Sequence, residues 1–303
     1  MTDKGQIIKG IGGFYYVETA GTIYECKARG VFRRKGLTPT VGDICTFTVP
    51  ENGIAVIDAI EERKNCLIRP AVANLDKLFI VASTKLPQPN SLVLDRLVAM
   101  AEYNDIEPIM VFTKLDLLPA DEIAAVYKKA GLKTVMVDYS SGGGIDELKE
   151  LMKDAVSAFA GNSGVGKSTL INAIAPELVL ETGEVSEKLG RGRHTTRSVE
   201  LYNLPFGGKL ADTPGFSSFD IETGMQIKKD ELADCFREFA EYTPNCKFTS
   251  CAHLCEKGCA VVEAVKNGEI SLSRHESYKA LYEEAKNIKN GKPDKIAKDR
   301  INL

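Results

Sequence analysis

The spacing of apolar positions divides the chain into three stretches of different period. Over residues 5–63, the segments Gln6–Thr19, Thr22–Arg29, Asp43–Val49 and Ile54–Ile60 carry β-branched and aromatic residues in partial alternation, separated by Gly and Pro. That is the pattern of half-buried strands, and strands this short and close predict a small barrel, first of all one of the oligonucleotide/oligosaccharide-binding (OB) type. Strand count alone leaves another five-stranded barrel open. From residue 77 apolar runs alternate with amphipathic stretches. Leu78–Ser83, Pro108–Phe112, Thr134–Val137 and Val156–Ala160 read as buried strands. Ser91–Tyr103, Asp121–Ala130, Ile145–Ala155 and Lys167–Ala175 read as helices, the first with Leu94, Leu97 and Val98 on one face. This alternation predicts a parallel sheet covered by helices, to which Glu200–Leu204 and Lys209–Asp212 add two strands. Leu178–Arg197 is glycine-rich and charged with little periodicity, and predicts a mobile connection. Beyond residue 222 the chain reads as helical and charged, interrupted by cysteines. The expected units are therefore 1–68, a barrel; 69–222, an α/β domain; and 223–303, a helical domain with a basic tail.

Composition narrows the class. A chain of 303 residues with 44% hydrophobic and 27% charged residues suits a soluble globular protein of two or three domains. No run of about 18 apolar residues suggests a membrane span, and Met1-Thr2-Asp3-Lys4 opens no secretion signal. The expectation is a cytoplasmic protein, monomeric by default, whose eight cysteines are thiols or metal ligands rather than disulfides. A net charge of −3 carries no global nucleic-acid footprint, so any such contact rests on local patches. One is Arg29, Arg33, Arg34 and Lys35 around Phe32, a solvated loop or a nucleic-acid contact. The other is the tail, Lys286, Lys289, Lys292, Lys295, Lys298 and Arg300, which reads first as a solvated end.

Three motifs carry chemistry. Gly161-Asn162-Ser163-Gly164-Val165-Gly166-Lys167-Ser168 matches G-x-x-x-x-G-K-S between an expected strand and an expected helix, the context in which this loop cradles nucleotide phosphates. Its backbone N–H groups and the helix N-terminus face phosphate oxygens, Lys167 reaches the β- and γ-phosphates, and Ser168 ligates Mg²⁺. Asp212-Thr213-Pro214-Gly215 ends a strand; Asp212 suits Mg²⁺, and the Gly215 N–H suits γ-phosphate sensing. Thr113-Lys114-Leu115-Asp116 reads guanine: the Asp116 carboxylate accepts from N1–H and the exocyclic amine, and Lys114 lies along the base. Ser140 is the candidate backbone partner of O6. Phe216, where several GTPases carry a water-orienting Gln, leaves that task to another group. His194 is the nearest candidate, unless it only packs or caps its loop, and Thr196, with Thr195 as fallback, suits Mg²⁺ and γ-phosphate.

The order of these motifs is itself informative. The guanine signature precedes the phosphate loop, the reverse of ordinary small GTPases, so the domain must be circularly permuted for its site to close. Further on, Cys246, Cys251, His253 and Cys259 fit a structural Cys₃His zinc site that staples a loop with little core of its own. Cys255 competes for the role of ligand, free buried thiols being the plain alternative.

Taken together, these motifs resemble the bacterial ribosome small-subunit-dependent GTPase A family, over nearly the whole chain. The resemblance rests on Gly161–Ser168, His194-Thr195-Thr196, Asp212–Phe216 and the Cys246/Cys251/His253/Cys259 spacing. It implies an OB-type barrel that binds RNA, a permuted α/β P-loop GTPase domain and a zinc-binding helical domain. It further implies GTP hydrolysis stimulated by the 30S subunit, contact with 16S rRNA, release after hydrolysis late in small-subunit maturation, and a part for His194 in the chemistry. The rivals are a GTPase acting on another RNA or at a membrane, and an RNA-binding module whose hydrolysis is incidental.

Overall fold

A computed structural model describes residues 2–34, 36–178, 199–212 and 227–287. Strands β1 (Thr2–Ile11), β2 (Phe14–Thr19), β3 (Thr22–Ala28), β4 (Ile44–Thr48) and β5 (Ala55–Ile60) form the barrel. β1 pairs with both β2 and β4, β4 with β5, and β5 lies parallel to β3, so the sheet closes on itself. Alternate positions supply its core, among them Ile7, Val17, Cys26, Cys45, Phe47 and Ile57. The segment Gln6–Thr19, expected as one strand, is a hairpin instead. Gly12 and Gly13 take φ of +60° and +87°, the left-handed pair that a two-residue hairpin turn demands. Helix α1 (Gly30–Arg34) turns Phe32 into the barrel core, 5% exposed, so this ring is no stacking platform for a base. Arg29 is paired with Asp58.

A short hairpin, β6 (Cys66–Ile68) and β7 (Ala71–Ala73), leads out of the barrel. The α/β unit follows as β8 (Lys77–Ser83), α2 (Ser91–Tyr103), β9 (Glu107–Thr113), α3 (Asp121–Lys129), β10 (Lys133–Met136), α4 (Ile145–Met152), β11 (Val156–Ala160), α5 (Lys167–Ile174), β12 (Glu200–Asn203) and β13 (Lys209–Asp212). The strand order β10-β9-β8-β11-β13-β12 is parallel except at β12. Leu78 to Ala82 are buried without alternation, as befits a strand covered on both faces. The expectation of a parallel sheet fails only at β12. A tight turn, closed by Leu204 N–H to Gly208 O at 3.0 Å, joins it to β13, and strands joined so tightly run antiparallel. β12 also meets the barrel: Lys9 of β1 pairs with Glu200, which fuses both units into one 11-stranded sheet.

The final unit packs 3₁₀ turns at Ala233–Cys235, Arg237–Phe239 and Thr243–Asn245 against α6 (Ala260–Lys266) and α7 (Leu272–Asn287). Phe236, Phe239 and Tyr278 form its aromatic centre. It docks on α2 through ion pairs. Arg274, 1% exposed, bonds Asp95 and Glu238 at 2.7 Å each, and Arg96 clasps Glu284 at 2.5 and 2.8 Å. Among the described residues no helix is long and apolar enough to cross a membrane.

Candidate functional site

Strand order reverses between β8 and β11, since the chain builds outward from β8 to β10 and then returns to β11. Crevices at such switch points, beyond the carboxyl ends of the strands, are where open α/β sheets bind ligands. Three of the expected segments lie at those ends: Thr113–Asp116 from the last residue of β9, Asp138–Ser141 after β10, and Gly161–Ser168 after β11. Asp212 closes β13.

The phosphate loop requires its first glycine. At Gly161 φ is +143°, and a Cβ there would stand 2.3 Å from the Val81 carbonyl oxygen. The chain therefore leaves β11 hard against β8, and Gly166 starts α5 from a left-handed conformation. Lys167 folds over the loop, its Nζ donating to Gly161 O at 2.6 Å and Asn162 O at 2.9 Å. Burial lowers its pKa. An ammonium so placed is partly stripped of water and gains from an anion entering the loop.

The guanine signature is tied to this loop. Thr113, fully buried, donates from its hydroxyl to Val165 O at 2.6 Å. Lys114, held at φ +59°, reaches Gly164 O at 2.7 Å and also Leu86 O, while Thr84 donates to Lys114 O at 2.6 Å. A cleft of about 320 Å³ opens beside these bonds, lined by Leu115, Asp116, Val137, Asp138, Tyr139 and Ser140. Asp116 and Ser140 thus share one cavity. The Ser140 amide, expected to face O6, instead donates to Asp138 Oδ1 at 2.9 Å. Asp138 and Tyr139 were not singled out by sequence reasoning. An Asp two residues ahead of a Ser is a common turn signal, and it was available.

Asp212 has its pKa raised, first by burial and then by Glu200, its cross-strand neighbour. A half-buried carboxylate at a strand end is an oxygen donor of the kind a divalent cation takes, whereas Glu200 is already held by Lys9. Ser168 is exposed on the first turn of α5. Thr195, His194, Thr196, Gly215 and Phe216 lie outside the described residues, as does most of Leu178–Arg197 and the tail from 288 onward.

In the last unit the donor atoms of Cys246, Cys251, His253 and Cys259 lie within 4.8 Å of one another. His253 Nδ1 is 3.6 Å from the Cys246 sulfur and 3.5 Å from that of Cys259, and those two sulfurs are 3.9 Å apart. Tetrahedral zinc bonds of about 2.3 Å to sulfur and about 2.0 Å to nitrogen imply S···S of about 3.8 Å and S···N of about 3.5 Å. The quartet fits that ion. The outer contacts are built too: Glu256 accepts from the amides of Ala252, Leu254 and Cys255, and His275 bonds the His253 carbonyl at 2.7 Å. Cys255 is exposed and stands outside the quartet.

Comparison with known proteins agrees with this architecture. Residues 60–222 match the family described as RsgA GTPase, and residues 4–57 that described as RsgA N-terminal domain. The small ribosomal subunit biogenesis GTPase RsgA of Caldanaerobacter subterraneus subsp. tengcongensis is 48% identical over 93% of this chain and 96% of its own. The protein of the same description from Streptococcus pneumoniae serotype 4 is 45% identical over 94% and 95%. Among solved structures, YjeQ from Thermotoga maritima superposes with a TM-score of 0.79 at 35% identity, covering 95% of this chain and 99% of that one. YloQ, described as a circularly permuted GTPase, does so at 0.77 and 35%, covering 94% and 96%. With a guanine signature ahead of its phosphate loop, a barrel before both and a Cys₃His cluster behind them, this chain belongs to the RsgA family of circularly permuted GTPases.

Proposed function

We propose that this protein is a cytoplasmic GTP hydrolase of small-subunit biogenesis. It binds the 30S subunit with GTP, is stimulated by it, and leaves after hydrolysis late in maturation. The observation that carries this reading is the union of a guanine signature and a phosphate loop through the Thr113–Val165 and Lys114–Gly164 bonds. Relatives with 45–48% identity over nearly the full chain bear the description small ribosomal subunit biogenesis GTPase.

The roles follow from chemistry. Asp116 selects guanine, since adenine offers no matching pair of donors and would leave the carboxylate unpaired. Thr113 and Lys114 hold that signature against the phosphate loop. Amides of Gly161, Asn162, Ser163, Gly164, Val165 and Gly166 surround the phosphates, and Lys167 exchanges its carbonyl partners for phosphate oxygens. Ser168, Asp212 and Thr196 would hold Mg²⁺, which would supply positive charge to offset that of the phosphates. Gly215 senses the γ-phosphate, and His194 orients the attacking water. Cys246, Cys251, His253 and Cys259 hold one structural zinc. The barrel, residues 1–68, contacts 16S rRNA; residues 69–222 carry the chemistry, and 223–303 the zinc. The protein acts as a monomer.

GTP hydrolysis measured with and without purified 30S subunits, with ATP and 50S subunits as controls, tests this. Stimulation by 30S alone supports the reading. Turnover of GTP that neither subunit changes would leave the guanine chemistry standing and overturn the ribosomal assignment.

A further inference from the structure

We propose that Glu256 is the positioning residue of the Cys₃His site: without being a ligand, it presets the loop that presents Cys251 and His253 to the metal. The inference rests on reading the quartet as a zinc site. Cys251 and His253 are two residues apart, so the chain between them must turn sharply to bring a thiolate and an imidazole to one point. His253 makes that turn at φ +57°, a left-handed conformation that a side chain disfavours. Such a conformation persists only where the surroundings over-determine it.

The surroundings here do so from two elements. Glu256 Oε1 accepts from the Ala252 N–H at 3.0 Å, and its Oε2 from the Leu254 N–H at 2.9 Å and the Cys255 N–H at 3.1 Å. One carboxylate thus holds the amides on either side of His253. Helix α7 takes the carbonyls of the same stretch: the Tyr278 hydroxyl donates to Ala252 O at 2.8 Å, and His275 Nε2 donates to His253 O at 2.7 Å. His275 and Tyr278 are both buried and stand three residues apart, on one helix face. Their neighbour Arg274 bonds Asp95 of α2, so the loop is anchored on the helix that docks this unit. None of these bonds uses a donor atom of the quartet, and Glu256 stands outside it. They fix the ligand-bearing backbone beforehand and so reduce the ordering that metal binding must impose. Without an acceptor at 256, three amides are released together and His253 is free to leave its left-handed turn.

Zinc affinity separates this role from a purely structural one. It is measured on the full chain by chelator competition for wild type, Glu256→Ala, Glu256→Gln and Tyr278→Phe, and each protein is also titrated with Co²⁺. Glu256→Ala should weaken zinc about 10–100-fold, the range for outer contacts of metal sites. Glu256→Gln keeps an acceptor oxygen but loses the charge, so it should fall between. A Gln variant as weak as the Ala variant would show charge acting on the metal instead of bonds shaping the loop, and would overturn the inference. Tyr278→Phe removes only the bond to Ala252 and should weaken zinc about threefold; it carries the test if Glu256→Ala does not fold. All four ligands remain in every variant, so the saturated Co²⁺ spectra should coincide. A shifted spectrum in Glu256→Ala would make Glu256 part of the coordination sphere, and unchanged zinc affinity in both Glu256→Ala and Tyr278→Phe would mean that the metal alone shapes the loop; either overturns the inference. Wild-type protein that takes up no zinc would instead overturn the reading of the quartet itself.

Discussion

Lys167 shows how one side chain can matter to chemistry and little to folding. In this structure it spends its donors on Gly161 and Asn162 carbonyls of its own loop, and it contributes no ion pair among the described residues. Replacing it with Ala should lower kcat/KM for GTP at least about 100-fold, as loss of a positioned charge donor does. The melting temperature should move little, and a large drop on calorimetry would reassign Lys167 to the scaffold. Asp138 gives the pH counterpart. Its folded value, about 2, lies below the ordinary carboxylate range, so the stability of its bonds is complete above that range and is lost as pH falls toward 2. Followed by NMR, its carboxyl carbon should titrate near 2; a midpoint near 4 would mean that the bonds it accepts from Ser140 and Ser141 do not form. At this scale the placement of Lys167, Thr113 and Asp116 at neighbouring strand ends is legible in the sequence, because each sits in a fixed spacing. The bond that turns the Ser140 amide onto Asp138 is not legible there, because no spacing rule includes that neighbour.

Elements repay attention where charge is buried. Arg274 of α7 joins Asp95 of α2 to Glu238 and lies 4.6 Å from the Phe236 ring centroid. Breaking such a pair strands the partner charges, so Arg274→Ala should cost about 3–5 kcal/mol in denaturant unfolding. An unchanged midpoint would show that water replaces the guanidinium. The Cys₃His loop adds a prediction of its own. Among the described residues, three short 3₁₀ turns and two helices share a small core, which a metal bound between Cys246 and Cys259 would close. Purified protein should carry one zinc by mass spectrometry, and Cys259→Ser should lose it. Far-UV circular dichroism should then report lost helix, with the β signal of the barrel unchanged. Strands and helices of the α/β unit were legible because both faces of a parallel strand are apolar and amphipathic helices repeat. The hairpin in Gln6–Thr19 was hidden because alternation on either side of Gly12-Gly13 reads as one continuous strand. The cluster around Phe32 reads as a solvated loop or a nucleic-acid contact because its basic residues are adjacent in sequence, yet the ring itself is buried in the barrel.

For the whole molecule, the joint that no periodicity announced is β1 against β12. Lys9 meets Glu200 at 2.8 Å, and close by Glu18 takes Lys209 and Asn203. Strand pairing across units depends on register between distant segments, and a local pattern contains no information about it. Lys209→Ala should loosen the barrel on the sheet. Basal GTP hydrolysis should stay within about twofold, while stimulation by 30S subunits drops; equal loss of both would place Lys209 in the chemistry instead. The same joint sets a problem in time. The two partners are 191 residues apart in the chain, so at about 5–20 residues per second a ribosome making this protein exposes β1 roughly 10–40 s before β12 exists. The barrel can close through β4 meanwhile, but the outer end of β1 waits as an unpaired strand edge, the kind of surface that recruits other chains. A nascent chain halted before residue 200 should therefore be the most aggregation-prone stage in the protein's synthesis, and the one a chaperone would have most reason to meet.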